Sequence, residues 1–112
     1  MSRKRRDKDY LADVIDAIQW IVAYTKELTY QQFLADRKTQ DAVPRNLQVI
    51  GEAVKKLSAP VKRTHPHLPW KQMAGMRDKV VHDYFGINFD IVWAVAREEL
   101  PPLLPSLTSI KL

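Results

Sequence analysis

Between Val43 and Leu57 the chain reads VPRNLQVIGEAVKKL. Its apolar residues Val43, Leu47, Ile50, Val54 and Leu57 recur alternately four and three positions apart, so on a helix they form a single seam. A seam of this spacing packs against another helix much as a coiled coil does. The helix is expected from about Arg37 to Leu57. Pro44 lies within it and should kink it or mark its true start, because proline lacks a backbone donor and crowds the preceding turn. Gly51 leaves room for a neighbouring helix to approach closely.

A partner for the seam lies upstream. Leu11, Val14, Ile15, Ile18, Ile21, Val22 and Thr25 follow three-four spacing, with Asp13, Asp16 and Gln19 opposite them, which predicts a helix from Asp9 to about Thr25. Trp20 and Tyr24 flank that stripe and are expected to pack at its edge. Thr29 suits the N-cap of a short helix, Tyr30 to Ala35. Ser58 to Pro69, interrupted by Pro60, Pro66 and Pro69, reads as a basic loop carrying Lys62, Arg63, His65 and His67. Its two histidines, separated by one proline and without a third ligand, make a poor metal site.

Trp70, following Pro69, should open a helix that buries Met73, Met76, Val80 and Val81 and is capped by Gly86. A last helix is expected from Phe89 or Asp90 to about Leu100, burying Ile91, Val92 and Val95. Pro101, Pro102 and Pro105 then leave an apolar tail of Leu103, Leu104, Leu107 and Ile110, able to pack on its own domain or on another subunit. The expected architecture is all-α: an antiparallel bundle of four main helices plus short ones, one domain over 1–112, with 1–8 a frayed basic tail.

With 112 residues, 46% hydrophobic and 28% charged, the chain has the composition of a soluble domain with one core. The absence of cysteine excludes a disulfide framework, a thiolate nucleophile and a thiolate zinc site, and makes the cytoplasm the expected compartment. The N-terminal SRKRRDKD leads into an amphipathic segment, unlike a secretory signal, and no apolar run is long enough to span a bilayer. A net charge of +5 suits a nucleic-acid partner without requiring one.

The chemistry concentrates in Met76–Gly86, MRDKVVHDYFG, where Arg77, His82 and Tyr84 fall within eight positions. Arginine can hold an anionic oxygen, and histidine can move a proton near neutral pH. On a regular helix Arg77 and His82 are about 140° apart, so they flank its surface. A phosphate can lie between them because arginine is long; alternatively, two copies of the helix meet across a two-fold axis and pool their pairs. The reaction these groups suit is metal-independent RNA cleavage, in which the 2′-hydroxyl attacks the adjacent phosphorus. The acids are too scattered for a two-metal nuclease. Asp78, one turn before His82, is placed to orient the imidazole and favour its charged form. The same spacings also fit surface ion pairs for Arg77 and His82, a core-edge Tyr84, and a surface network of Arg45 and Glu52.

Two motifs occur together. RN-x4-GEA spans Arg45 to Ala53 within DAVPRNLQVIGEAVKKLS, and R-x4-H-x-Y spans Arg77 to Tyr84 within PWKQMAGMRDKVVHDYFGIN. In this order and over about Tyr10 to Leu104, the chain closely resembles the HepT-like toxins of the HEPN ribonuclease superfamily. The resemblance implies an all-helical HEPN fold, a homodimer whose Arg-x4-His motifs meet at a cleft, and endoribonuclease activity without a cofactor or metal. Arg77 and His82 would be catalytic and Asn46 would line the cleft, with Arg45, Glu52 and Asp78 in support. It also implies a type VII-like toxin–antitoxin system. A cognate nucleotidyltransferase of the MntA type would be the antitoxin, adenylylating Tyr84. Two other functions compete. A non-catalytic HEPN module that binds RNA or nucleotide, or scaffolds the transferase, would need Arg77 but not His82. A subunit that accepts or regulates nucleotidyl transfer would need Tyr84 but not His82.

Overall fold

The structure, a computed structural model, describes residues 4–76, 78 and 88–112. Among them every regular element is helical. Helix α1 (Asp7–Thr25) and helix α3 (Arg37–Lys56) form the most extensive pairing of the bundle. The predicted seam of α3 is buried along its whole length, with Val43, Ile50 and Val54 fully enclosed. It faces Leu11, Val14, Ile18 and Ile21 of α1 in one continuous core. The two helices run antiparallel: Asp7, at the start of α1, bonds to Ser58, two residues past the end of α3.

That contact alters the reading of the N-terminus. Asp7 Oδ1 accepts from the Ser58 backbone N–H at 2.9 Å, and Oδ2 accepts from its hydroxyl at 2.7 Å. α1 therefore begins at Asp7, two residues earlier than its apolar pattern, and Asp7 and Asp9 sit favourably against the positive end of the helix dipole. Arg5 is also engaged, pairing with Asp13 at 2.6 Å. The frayed tail expected over 1–8 is thus folded from Asp7 onward. Replacing Asp7 with alanine is expected to cost about 1–2 kcal/mol, because two hydrogen bonds to a carboxylate disappear. Urea denaturation would measure it; an unchanged midpoint would mean that the Asp7–Ser58 pairing contributes nothing.

Helix α2 (Tyr30–Leu34) starts as predicted, with the Thr29 hydroxyl accepting from the Gln32 N–H and the Gln32 side chain accepting from the Thr29 N–H. Asp36 caps α3 through the Thr39 N–H, so α3 starts at Arg37 and Pro44 does not mark its beginning. The helix continues through Pro44, which is buried. Gln40, whose carbonyl has no i+4 donor because Pro44 lacks an N–H, turns its side-chain amide onto the Phe33 and Leu34 carbonyls at the end of α2.

The basic loop expected over 58–69 contains a helix, α4 (Ala59–Thr64). Pro60 does not forbid it, since in the first turn proline forfeits only an N–H that has no intrahelical acceptor. The loop proper starts at His65, whose carbonyl accepts from the Trp70 indole N–H at 2.9 Å. Helix α5 (Trp70–Ala74) follows Pro69 but stops at Gly75, so the single helix expected to run on from Trp70 is interrupted there; Met73 and Met76 are buried as predicted. The predicted positions of Val80, Val81 and Gly86 lie outside the described residues.

Helix α6 (Phe89–Ala94), capped by Asn88, leads into a wider π turn over Val95–Glu99, closed by the Leu100 N–H on the Val95 carbonyl. The turn widens where Pro101 and Pro102 cannot supply the N–H groups an α-helix would need. Val92 and Val95 are buried as expected, but Ile91 is 43% exposed; Ala96 and Leu100 complete the inner face instead. A short 3-10 turn (Pro101–Leu103) and helix α7 (Leu104–Thr108) fold the apolar tail against α1, burying Leu107 and Ile110. The tail thus packs on its own chain.

Among the described residues, Phe33 is the largest fully enclosed side chain, held by aromatic neighbours distant in sequence. Phe89 meets it edge-on at 5.7 Å, and Trp93 lies at 5.1 Å. The Tyr30 hydroxyl donates to Asp90 Oδ1, and this bond, with the charge of the carboxylate, raises the Tyr30 pKa above the ordinary tyrosine value. Trp20 and Tyr24, expected to pack at the edge of α1, point outward instead, 50% and 38% exposed and stacked on each other.

Candidate active site

Of the residues singled out for chemistry, Arg45, Asn46 and Glu52 all lie on α3, and Pro44 does not displace them from the helix. Arg45 is exposed. Asn46 is half-buried, its Nδ2 donating to the Ala42 carbonyl one turn back at 2.9 Å. That bond fixes the side chain against its own helix. Glu52 is exposed and lines a cleft of about 160 Å³ between α1 and α3, together with Arg5, Tyr10, Asp13 and Lys56.

Asp78 also reaches α3. Its Oδ1 lies 3.6 Å from Lys55 Nζ, with the two side chains 50% and 44% exposed. In so much water the pair adds little stability, but it places position 78 beside the C-terminal half of α3. α5, which leads toward Asp78, also packs on α3. Arg77, His82 and Tyr84 lie outside the described residues, as does any contact of Asp78 with His82.

The other two histidines, His65 and His67, lie just past the end of α4. His65 Nδ1 bonds to the Val61 carbonyl at 2.9 Å, and its ring centroid lies 6.2 Å from that of His67. Among the described residues, no group of three or more His, Asp or Glu is gathered closely enough to hold a metal ion. Also among them, no helix is long and apolar enough to cross a membrane.

The sequence of this site is matched by a family model, ribonuclease HepT-like, over residues 14–110. The chain belongs to the ribonuclease HepT-like family. Both the RN-x4-GEA and the R-x4-H-x-Y motif fall inside the matched span. Among similar proteins, one from Thermococcus cleftensis named probable ribonuclease HepT is 47% identical over 100 residues, covering 89% of this chain and 91% of its own. A candidate RNase of Methanocaldococcus jannaschii is 43% identical over 98 residues, covering 88% of this chain and 81% of its own. Another, from Caldanaerobacter subterraneus, is 36% identical, covering 86% of each chain. No solved structure gives a significant match. This HepT-like chain is therefore a ribonuclease-family protein with an all-helical fold.

The cleft between α1 and α3 was not legible in the sequence. Tyr10 reads as an unremarkable position at the start of α1, yet Arg5 Cζ lies 5.0 Å and Lys56 Nζ 6.0 Å from its ring centroid. The one signal was Asp7 and Asp9 interrupting a basic run, as acids at a helix start do.

Proposed function

We propose that this protein is the toxin of a type VII-like toxin–antitoxin pair, acting as a metal-independent endoribonuclease. The observation that carries the reading is the paired motif, RN-x4-GEA followed by R-x4-H-x-Y, inside a family match spanning nearly the whole chain. His82 takes the proton of the RNA 2′-hydroxyl as it attacks phosphorus, or returns one to the departing 5′-oxygen. The phosphorus–oxygen bond to the 5′-carbon side breaks, leaving a 2′,3′-cyclic phosphate and a 5′-hydroxyl. Arg77 holds the non-bridging oxygens, where negative charge builds in the transition state. Asn46, Arg45, Glu52 and Asp78 shape the surrounding surface. A homodimer would bring two Arg77–His82 pairs together, so that one histidine serves as base and the other as acid.

The test is cleavage of RNA in EDTA by purified chain freed of any partner. Products ending in 2′,3′-cyclic phosphate support the reading. Intact RNA, with a dimeric and unmodified protein, would favour the non-catalytic module.

Control would come from a nucleotidyltransferase of the MntA type that adenylylates Tyr84. Phosphate charge so near Arg77 would occupy the anion site and repel RNA. Mass spectrometry after co-expression with such a transferase is expected to find AMP on Tyr84, with cleavage abolished. Unmodified Tyr84 in a neutralised complex would point to inhibition by binding alone.

A further inference from the structure

One end of the bundle carries a concentration of cations. The Asp7–Ser58 hydrogen bonds tie the start of α1 to the end of α3 and the start of α4. The basic segment from Lys4 to Lys8 therefore lies at the same end as Lys55 and Lys56 of α3 and Lys62 and Arg63 of α4, all exposed except the half-buried Lys62. This end holds eight of the fifteen lysines and arginines among the described residues. The carboxylates around it are Asp7, Asp9, Asp13, Glu52 and Asp78, five against eight cations, so the surface remains cationic even with the Arg5–Asp13, Arg6–Asp9 and Lys55–Asp78 pairs formed.

Two details give this end a direction and a fixed spacing. Lys55 pairs with Asp78, the one described residue inside the R-x4-H-x-Y stretch, so the basic end adjoins that position of the motif. Arg5 and Lys56, from two different elements, both rest on the Tyr10 ring, which holds two long cationic side chains at the mouth of the α1–α3 cleft. The charges come from three elements and do not converge on one point. That arrangement fits a chain of phosphates better than a single small anion.

We propose that this basic end is a docking track for single-stranded RNA, carrying the strand's phosphates away from the Arg77–His82 segment, with Tyr10 as the residue that positions Arg5 and Lys56. The inference rests on the ribonuclease reading for its choice of ligand. Contacts along the track set affinity and direction of the strand and leave the bond-breaking step to the motif.

The experiment uses full-length chain carrying His82→Ala, so that the RNA stays intact, and fluorescence anisotropy of a labelled unstructured RNA at several salt concentrations. Lys56→Gln with Arg63→Gln is expected to weaken binding roughly tenfold and to reduce the slope of log affinity against log salt by about 1.4, which is about 0.7 for each phosphate deprived of its cation. Lys26→Gln with Lys38→Gln removes the same charge from the opposite end and should change affinity less than about twofold. Tyr10→Leu should weaken binding while Tyr10→Phe restores it, with thermal melts showing both variants folded. Equal weakening by the two charge pairs, no weakening by either, or no binding by the parent protein would overturn the track. Binding through the basic end without cleavage by the unsubstituted chain would refute the nuclease reading and leave the track standing. Cleavage with an unaltered salt slope would do the reverse.

Discussion

Substituting His82 with alanine is expected to slow RNA cleavage by about 10²–10⁴-fold, the usual contribution of a positioned acid or base. Neither the proton of the 2′-hydroxyl nor the charge on the departing 5′-oxygen is handled well by water at neutral pH, and no cysteine is present to substitute. The other two histidines, His65 and His67, sit on the loop after α4, where His65 is bound to a backbone carbonyl. The measurement is a single-turnover rate with saturating protein, which separates chemistry from binding. RNA affinity should stay near that of the unsubstituted chain. A rate within a few-fold of the original would move the proton transfer to another group and remove the nuclease assignment from this motif.

The largest effect on stability is expected from Phe33→Ala, about 3–5 kcal/mol. Phe33 is completely enclosed, and its ring touches Tyr30, Phe89 and Trp93, so truncation leaves a cavity lined by rigid rings that cannot readily collapse. It also cuts the attachment of α2, only five residues long, to α6. Small domains of this kind are stable by about 5–15 kcal/mol, so the effect is a large fraction of the whole. Urea denaturation followed by tryptophan fluorescence would report it through Trp93. A change below about 1 kcal/mol would show that the site refills and that the aromatic cluster does not bind the two elements together.

Much of this architecture is written locally. The four-three seam from Val43 to Leu57 is buried as its spacing requires, and Thr29 caps α2 through the reciprocal bonds its position predicts. The order of RN-x4-GEA and R-x4-H-x-Y likewise carried the resemblance to the family whose model matches residues 14–110. Periodicity misled where a proline could be tolerated or where an apolar residue had no neighbour. Pro60 sits in the first turn of α4, and Ile91, Trp20 and Tyr24 remain exposed although their residue types suggested burial.

Although it missed α4 and α7, the sequence by itself determined where α1, α2, α3 and α6 run, which face of α3 is inward, and which family the chain belongs to. Each depends on residues a few positions apart or on linear order. The tertiary structure alone decided that Asp7 meets Ser58, that Phe33 is enclosed by Phe89 and Trp93, that the C-terminal leucines cover α1, and that the basic segment at the N-terminus joins the cations of α3 and α4. These contacts pair residues dozens of positions apart. Their partners are chosen by how the buried faces fit in space, and a single local window contains only one side of each pair.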